Sequence, residues 1–327
     1  MAQLQSTSIT GSLSLFTTTA NTGSCGNLWF NTSTNKLQYS YYGGAWSAGG
    51  AMITARSLLA GAGTNTAALA FGGASPTIRA CTETYNGTSW TAGGAMITAR
   101  QLLAGAGTNT AALAFGGQTP STVACTETYN GSTWSAGGAM ITARDILAGA
   151  GTNTAALAFG GRTPTVVACT ETYNGTSWSA GGAMITARCA LGGAGTNTAA
   201  LAFGGATPTV VACTETYNGS TWSAGGAMIT ARRALAGAGT NTAALAFGGT
   251  PALNTCACTE TYNGTAWSAG GAMIIARCAL GGAGTNTAAL AFGGATPTVV
   301  ACTEVYCVGI LTCTFTGTVT PPPYIGV

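Results

Sequence analysis

Histidine is absent from this chain, and acidic and basic residues together make up only 5% of its 327 residues. Without histidine there is no side chain of ordinary near-neutral pKa, no imidazole base beside a nucleophile and no imidazole ligand for zinc. Asp145 is the one acidic residue outside a repeated pattern, so chemistry that needs paired free carboxylates has nothing to work with. An enzyme is therefore not expected. The chain also has no Cys-x-x-Cys pair, and neither a metal nor any other cofactor is expected. No apolar run reaches the roughly 18 residues of a membrane span, and the opening segment MAQLQSTSITGSLSLF has no basic region of a secretory signal. Membrane insertion and a standard secretory route are not expected.

What the chain does have is glycine, 51 residues of it, and 46% hydrophobic residues, a composition that can bury a core and repels itself little. It also repeats. Trp46, Trp90, Trp134, Trp178, Trp222 and Trp267 mark six copies of one unit, separated by 44 residues four times and then by 45. A fixed period outranks length as a guide to architecture. Six Arg (Arg56, Arg100, Arg144, Arg188, Arg232, Arg277) and six Glu (Glu83, Glu127, Glu171, Glu215, Glu260, Glu304) recur once per unit and cancel. Lys36, Arg79, Arg162 and Arg233 against Asp145 leave the net charge of +3. That is no basic stripe, so nucleic acid is not an expected partner.

Within a unit the apolar segments are short and punctuated by Gly, Thr-Asn-Thr and Asn-Gly, the grammar of strands and turns. Four strands fit: a at 58–63, b at 67–71, c at 80–85 and d around Trp90. Such a unit is apolar on both faces, and packing six in a ring covers them and shelters the edges. The last unit, 279–306, lacks a Trp-bearing strand, while Gly44–Ser47 supplies one with no unit before it. The N-terminal strand is thus expected to close the ring. Leu311 competes for that slot, but the residues flanking Trp46 match the repeat and those of Leu311 do not. The expected division is 1–43 as an N-terminal extension used for attachment, 44–306 as the ring, and 307–327 as a C-terminal tail.

The double glycine after strand b, Gly72-Gly73 and its copies, followed at fixed spacing by Tyr85 and Trp90, resembles the kelch repeat over residues 45–306. WD40 propellers would show Gly-His and Trp-Asp pairs. The strings TETYNGTSW and AALAFGG are similar to kelch-like arrays in virion proteins of tailed bacteriophages, and NLWFNTSTNKLQYS resembles hairpins at the head of phage fibre and appendage proteins. The resemblance implies an all-β, six-bladed, kelch-like β-propeller with four antiparallel strands per blade and short terminal extensions. It also implies a non-catalytic virion structural protein on a fibre, tail or capsid surface. Its expected partners are other virion proteins or copies of itself through the termini, and a host-surface glycan or protein. The alternative is a free kelch propeller that binds protein or glycan.

The twelve patterned charges read as structural ion pairs, because Glu83 shares a strand face with Tyr85 and a buried carboxylate needs a cation. The six recurrent cysteines, Cys81 and its equivalents, read as small buried hydrophobes. Cys256 and Cys258 are expected on opposite sides of one strand, and Cys307 and Cys313 as a pair able to bridge a short loop. Sequons at Asn86 and its equivalents follow from the Asn-Gly turn itself. The Pro-Pro-Pro-Tyr string at 321–324 resembles a WW-domain ligand but reads first as an extended end. Divergence between the copies clusters after the repeated Arg (Ser57, Gln101, Asp145, Arg233) and in the b–c loop (Gln118, Arg162, Asn254). These seven residues are the candidate binding set on one rim face; drift at tolerant sites is the other account of them.

Overall fold

In the computed structural model every copy of Ala-Leu-Ala-Phe is a strand buried on both faces: Ala68, Leu69, Ala70 and Phe71 all have 0% exposure. The structure describes residues 16–17, 28–31 and 36–314, with side chains from 43 to 309. Blade 1 runs a (Ala60–Gly63), b (Ala68–Phe71), c (Thr82–Tyr85) and d (Trp90–Ala92). Its neighbours are antiparallel, with Ala62 opposite Leu69, Ala70 opposite Glu83 and Tyr85 opposite Trp90. The order repeats in blades that begin at Ala104, Ala148, Gly192 and Ala236. The sixth blade is Gly281–Gly284, Ala288–Phe292, the strand from Thr303, and residues 44–48 at the end of the strand Lys36–Ala48. The protein is thus a six-bladed β-propeller, closed by an N-terminal strand, and the described residues contain no helix.

Strands a, b and c are shorter than the sequence predicts. Leu58 has φ of 58°, which no strand residue adopts, so strand a starts at Ala60. Ala67 turns its N–H to the Thr64 hydroxyl at 3.1 Å and ends the turn before strand b. Cys81 stands just before strand c, its carbonyl taking the Gly72 N–H at 3.0 Å.

The core lies between blades, and alternation along Ala-Leu-Ala-Phe explains how it fits. Successive strand residues point to opposite faces, so each blade has one bulky face and one small one. Leu69 and Phe71 meet Ala112 and Ala114 of blade 2, while Ala68 and Ala70 meet Leu290 and Phe292 of blade 6. Large side chains of one blade thus pack against small ones of the next. The tryptophans tie the same seam: Trp90 donates to the Thr303 hydroxyl of the previous blade at 2.9 Å and packs on Phe292 and Tyr85. Trp46 repeats every element of this, donating to Thr259 at 3.0 Å and packing on Phe247 and Tyr306 at 5.0 and 5.1 Å. It therefore occupies strand d of the last blade.

Two glycine positions follow from the ring. At Gly61 a Cβ would lie 2.8 Å from the Gly282 carbonyl and 2.5 Å from Phe292, so the innermost strands approach too closely for any side chain there. Gly73, at φ of 96°, turns the chain so that its N–H reaches the Arg100 carbonyl of the next blade at 2.8 Å.

Residues 44–307 form one compact unit, and residues 1–43 with 308–327 a second. In the second, Phe16–Thr17 runs parallel to Leu28–Asn31, which pairs antiparallel with Lys36–Tyr39. The 321–324 string lies outside the described residues, as does the side chain of Cys313.

Candidate functional site

Antiparallel strands put the d–a and b–c connections at one end of the blades, and the buried ion pairs, the exposed isoleucines and the non-glycine residues of positive φ gather there. Each repeated Arg sits just before strand a and meets the Glu on strand c of its own blade, at 3.3, 2.9, 3.0, 3.1, 3.2 and 3.1 Å from blade 1 to blade 6. The guanidinium groups are fully buried. Burial lowers the pKa of Arg56, Arg100, Arg144, Arg188 and Arg277, against the opposing pull of the neighbouring Glu. Carbonyls complete the cage; Arg144 donates to Gly160 and Cys169 at 2.8 and 2.7 Å.

The Glu has a second task. Glu83 accepts the N–H of Ile53 at 2.8 Å and of Thr54 at 3.2 Å, and the five other Glu hold the equivalent loop in the same way. Ile53, Ile97, Ile141, Ile185 and Ile229 are 61–62% exposed and Ile274 58%. A buried ion pair in each blade thus fixes the backbone of one outward-pointing isoleucine. Met52, the preceding residue, is buried. The sequence reading passed over these isoleucines, because an apolar residue in a glycine-rich segment reads as packing. Their signal was present: an Ile unchanged in all six copies, outside every strand and beside a Met that already supplies the packing.

Six of the seven variable positions, all but Asn254, turn out to sit in cross-strand pairs. The residue after each Arg bridges the residue after the double glycine, giving Ser57 with Ala74, Gln101 with Gln118, Asp145 with Arg162, and Arg233 with Thr250. Gln101 donates to Gln118 at 3.3 Å, and Arg162 grips both oxygens of Asp145 at 3.1 and 3.2 Å. Asp145 also accepts from Thr122 and is 1% exposed. Ser57 is buried, Gln101 and Gln118 are half-buried, and only Arg233 and Asn254 of the seven are exposed, with Arg162 between. The set is therefore not one open patch; divergence at a position is matched by divergence at its partner.

At the centre of this face Leu58, Leu102, Ile146, Ala190, Ala234 and Ala279 all have φ between 52° and 58°, a conformation costly for any residue with a Cβ. The reason is a closed ring of backbone hydrogen bonds. Each of these N–H groups donates to the same position of the preceding blade at 2.8–2.9 Å, from Leu102 to Leu58, from Leu58 to Ala279 and so on around. Their side chains line a cavity of about 100 Å³, bulky on the side of blades 1 to 3 and alanine on the other. A larger recess of about 580 Å³ lies near Pro208, Val210, Pro251 and Arg233.

The cysteines differ from expectation. Cys81 and its equivalents are half-buried, since they precede strand c and do not lie within it. Cys256 and Cys258 do not lie within a strand, since strand c of that blade starts at Thr259; the Cys256 thiol donates to the Gly248 carbonyl at 3.7 Å, and burial, then the neighbouring Cys256, pushes Cys258 up to about 11. Cys307 is free and exposed. Among the described residues no three Cys, Asp or Glu side chains converge as a metal site would require.

No protein-family model matches the chain, and a search of the curated proteins finds no match.

Proposed function

We propose that this protein is a non-catalytic structural component of a larger particle, a propeller displayed for adhesion or decoration and attached through its terminal segments. The kelch-like strings and the fibre-like N-terminal segment favour the virion of a tailed bacteriophage, on a fibre, tail or capsid surface, over a free kelch propeller that binds protein or glycan. The observation that carries the reading is where the acids are: all seven are buried, at 1–3% exposure, and each is committed to an arginine. No carboxylate is left to act on a substrate, and the described exterior carries no exposed acid side chain to repel a neighbour. Surfaces that stay apart usually carry about 25–35% charged residues; this one is built for contact.

The test is incorporation. Chains lacking residues 1–30 and 308–327 are expected to keep the propeller's spectroscopic and melting signatures but to be missing from purified particles. Incorporation of the truncated chain at the level of the full one would refute attachment through the termini. Absence of the full-length protein from every particle fraction, with a specific soluble ligand found in pull-down, would favour the free binding module.

A further inference from the structure

The geometry points to the isoleucine face as a self-docking surface: two copies of this chain associate face to face through their rings of six isoleucines. This extends the reading of the protein as an assembly component and does not depend on the particle being a virion. Six side chains near 60% exposure, with Leu253 at 89% and Val299 at 36% on b–c loops of the same face, present apolar surface of about the ~800 Å² per partner that a stable interface needs.

Three features single out a second copy as the occupant. The knobs recur once per blade on a six-fold ring, so a two-fold axis in the plane of the face brings one ring onto the other. A rotation of half a blade then seats each isoleucine between two of its partner's, the self-complementary arrangement that a symmetric dimer requires. Second, each knob is rigid before contact. Its backbone N–H is held at 2.6–2.8 Å by a buried glutamate, so little loop entropy is lost on docking. Third, the face offers a like copy little charge to oppose. Arg162 is paired with Asp145, which leaves Arg79, whose guanidinium donates to the Ser75 carbonyl at 2.6 Å, and Arg233 as the cations of the face that have no carboxylate partner among the described residues. Arg233, which bridges Thr250, favours registers that keep the two copies of this residue apart.

The experiment is sedimentation of the purified full-length chain over a concentration series, beside a variant with Ile53, Ile97, Ile141, Ile185, Ile229 and Ile274 all changed to Ser. The expected result is a concentration-dependent dimer for the natural chain and a monomer for the variant. Ile53→Ser with Ile185→Ser alone should weaken association at least tenfold. Because the six sites are exposed, unchanged circular dichroism and melting are expected to show that the variant folds. If the six-fold variant melts early, Ile141→Arg alone, which places one charge per copy in the seam, gives the same reading. A natural chain that stays monomeric overturns the inference, and so does a dimer that survives both sets of substitutions. Loss of association only on deleting residues 1–30 and 308–327 would assign the contact to the termini. Binding of the monomer to phosphatidylglycerol vesicles, lost in the six-fold variant, would make the face a lipid surface and overturn it equally.

Discussion

Replacing Glu171 by Ala tests the clamp that underlies both the fold and the exposed face. In the native protein this carboxylate lies 3.0 Å from Arg144, accepts the Ile141 N–H at 2.7 Å and the Thr142 N–H at 3.3 Å, and is 2% exposed. Its removal leaves a guanidinium of 0% exposure without a counter-charge, which costs about 3–5 kcal/mol. The two backbone donors add little to this, because their loop carries a 61% exposed Ile141 and water can reach it once the carboxylate is gone. The expected loss is therefore about 4 kcal/mol, a large part of the ~5–15 kcal/mol of an ordinary domain. Urea unfolding followed by tryptophan fluorescence would show it as a lower midpoint. Hydrogen exchange at 141 and 142 should accelerate beyond the global change. Pairing Glu171→Leu with Arg144→Met removes both charges, and most of the loss should return. A cost within the ~0.5 kcal/mol of surface substitutions would refute the reasoning, as would a double variant no better than the single one.

Three further outcomes follow from the same geometry. Trp46→Ala should cost about 3–5 kcal/mol, the same as Trp90→Ala, because the two rings have equivalent partners; a much smaller loss at Trp46 in urea unfolding would remove it from the closing strand. Gly149→Ala should lower the melting temperature through about 1–3 kcal/mol of overpacking, since a Cβ there sits 2.6 Å from Phe115 and 2.8 Å from the Gly105 carbonyl. Gly309→Ala, with nothing within 4 Å, should leave it unchanged. Alkali should destabilise the fold: burial raises Tyr129, Tyr173, Tyr217, Tyr262, Tyr306 and Cys258, so the unfolded chain loses these protons first. Their contribution is complete below the ordinary thiol and phenol values of 9.0 and 10.0 and is lost as pH rises through the folded ones; the lowered arginines act in the opposite direction nearer their ordinary value of 12.5, so a melting temperature that rises with pH between 9.0 and 10.0 would contradict the sign.

The sequence by itself determined the blade count, the four-strand unit, the closing role of Trp46 and the matching of repeated Arg with repeated Glu. Each of these is written in period and composition: the tryptophan spacing counts the blades, and equal numbers of buried opposite charges have to meet. It also placed the divergent residues at one end, since antiparallel strands leave only two ends. What the sequence did not contain was pairing across the blade. Asp145 and Arg162 read as two candidate binding residues until strand register set them 3.1 Å apart and buried the acid. Strand ends shifted for a similar reason, because the ring of hydrogen bonds from Leu58 to Ala279 forces positive φ on residues that local propensity would place in a strand. The outward isoleucines belong to the tertiary structure most of all. A side chain is exposed only because the glutamate below has fixed its loop and the methionine beside it has taken the space inside, and both of those partners arrive from elsewhere in the fold.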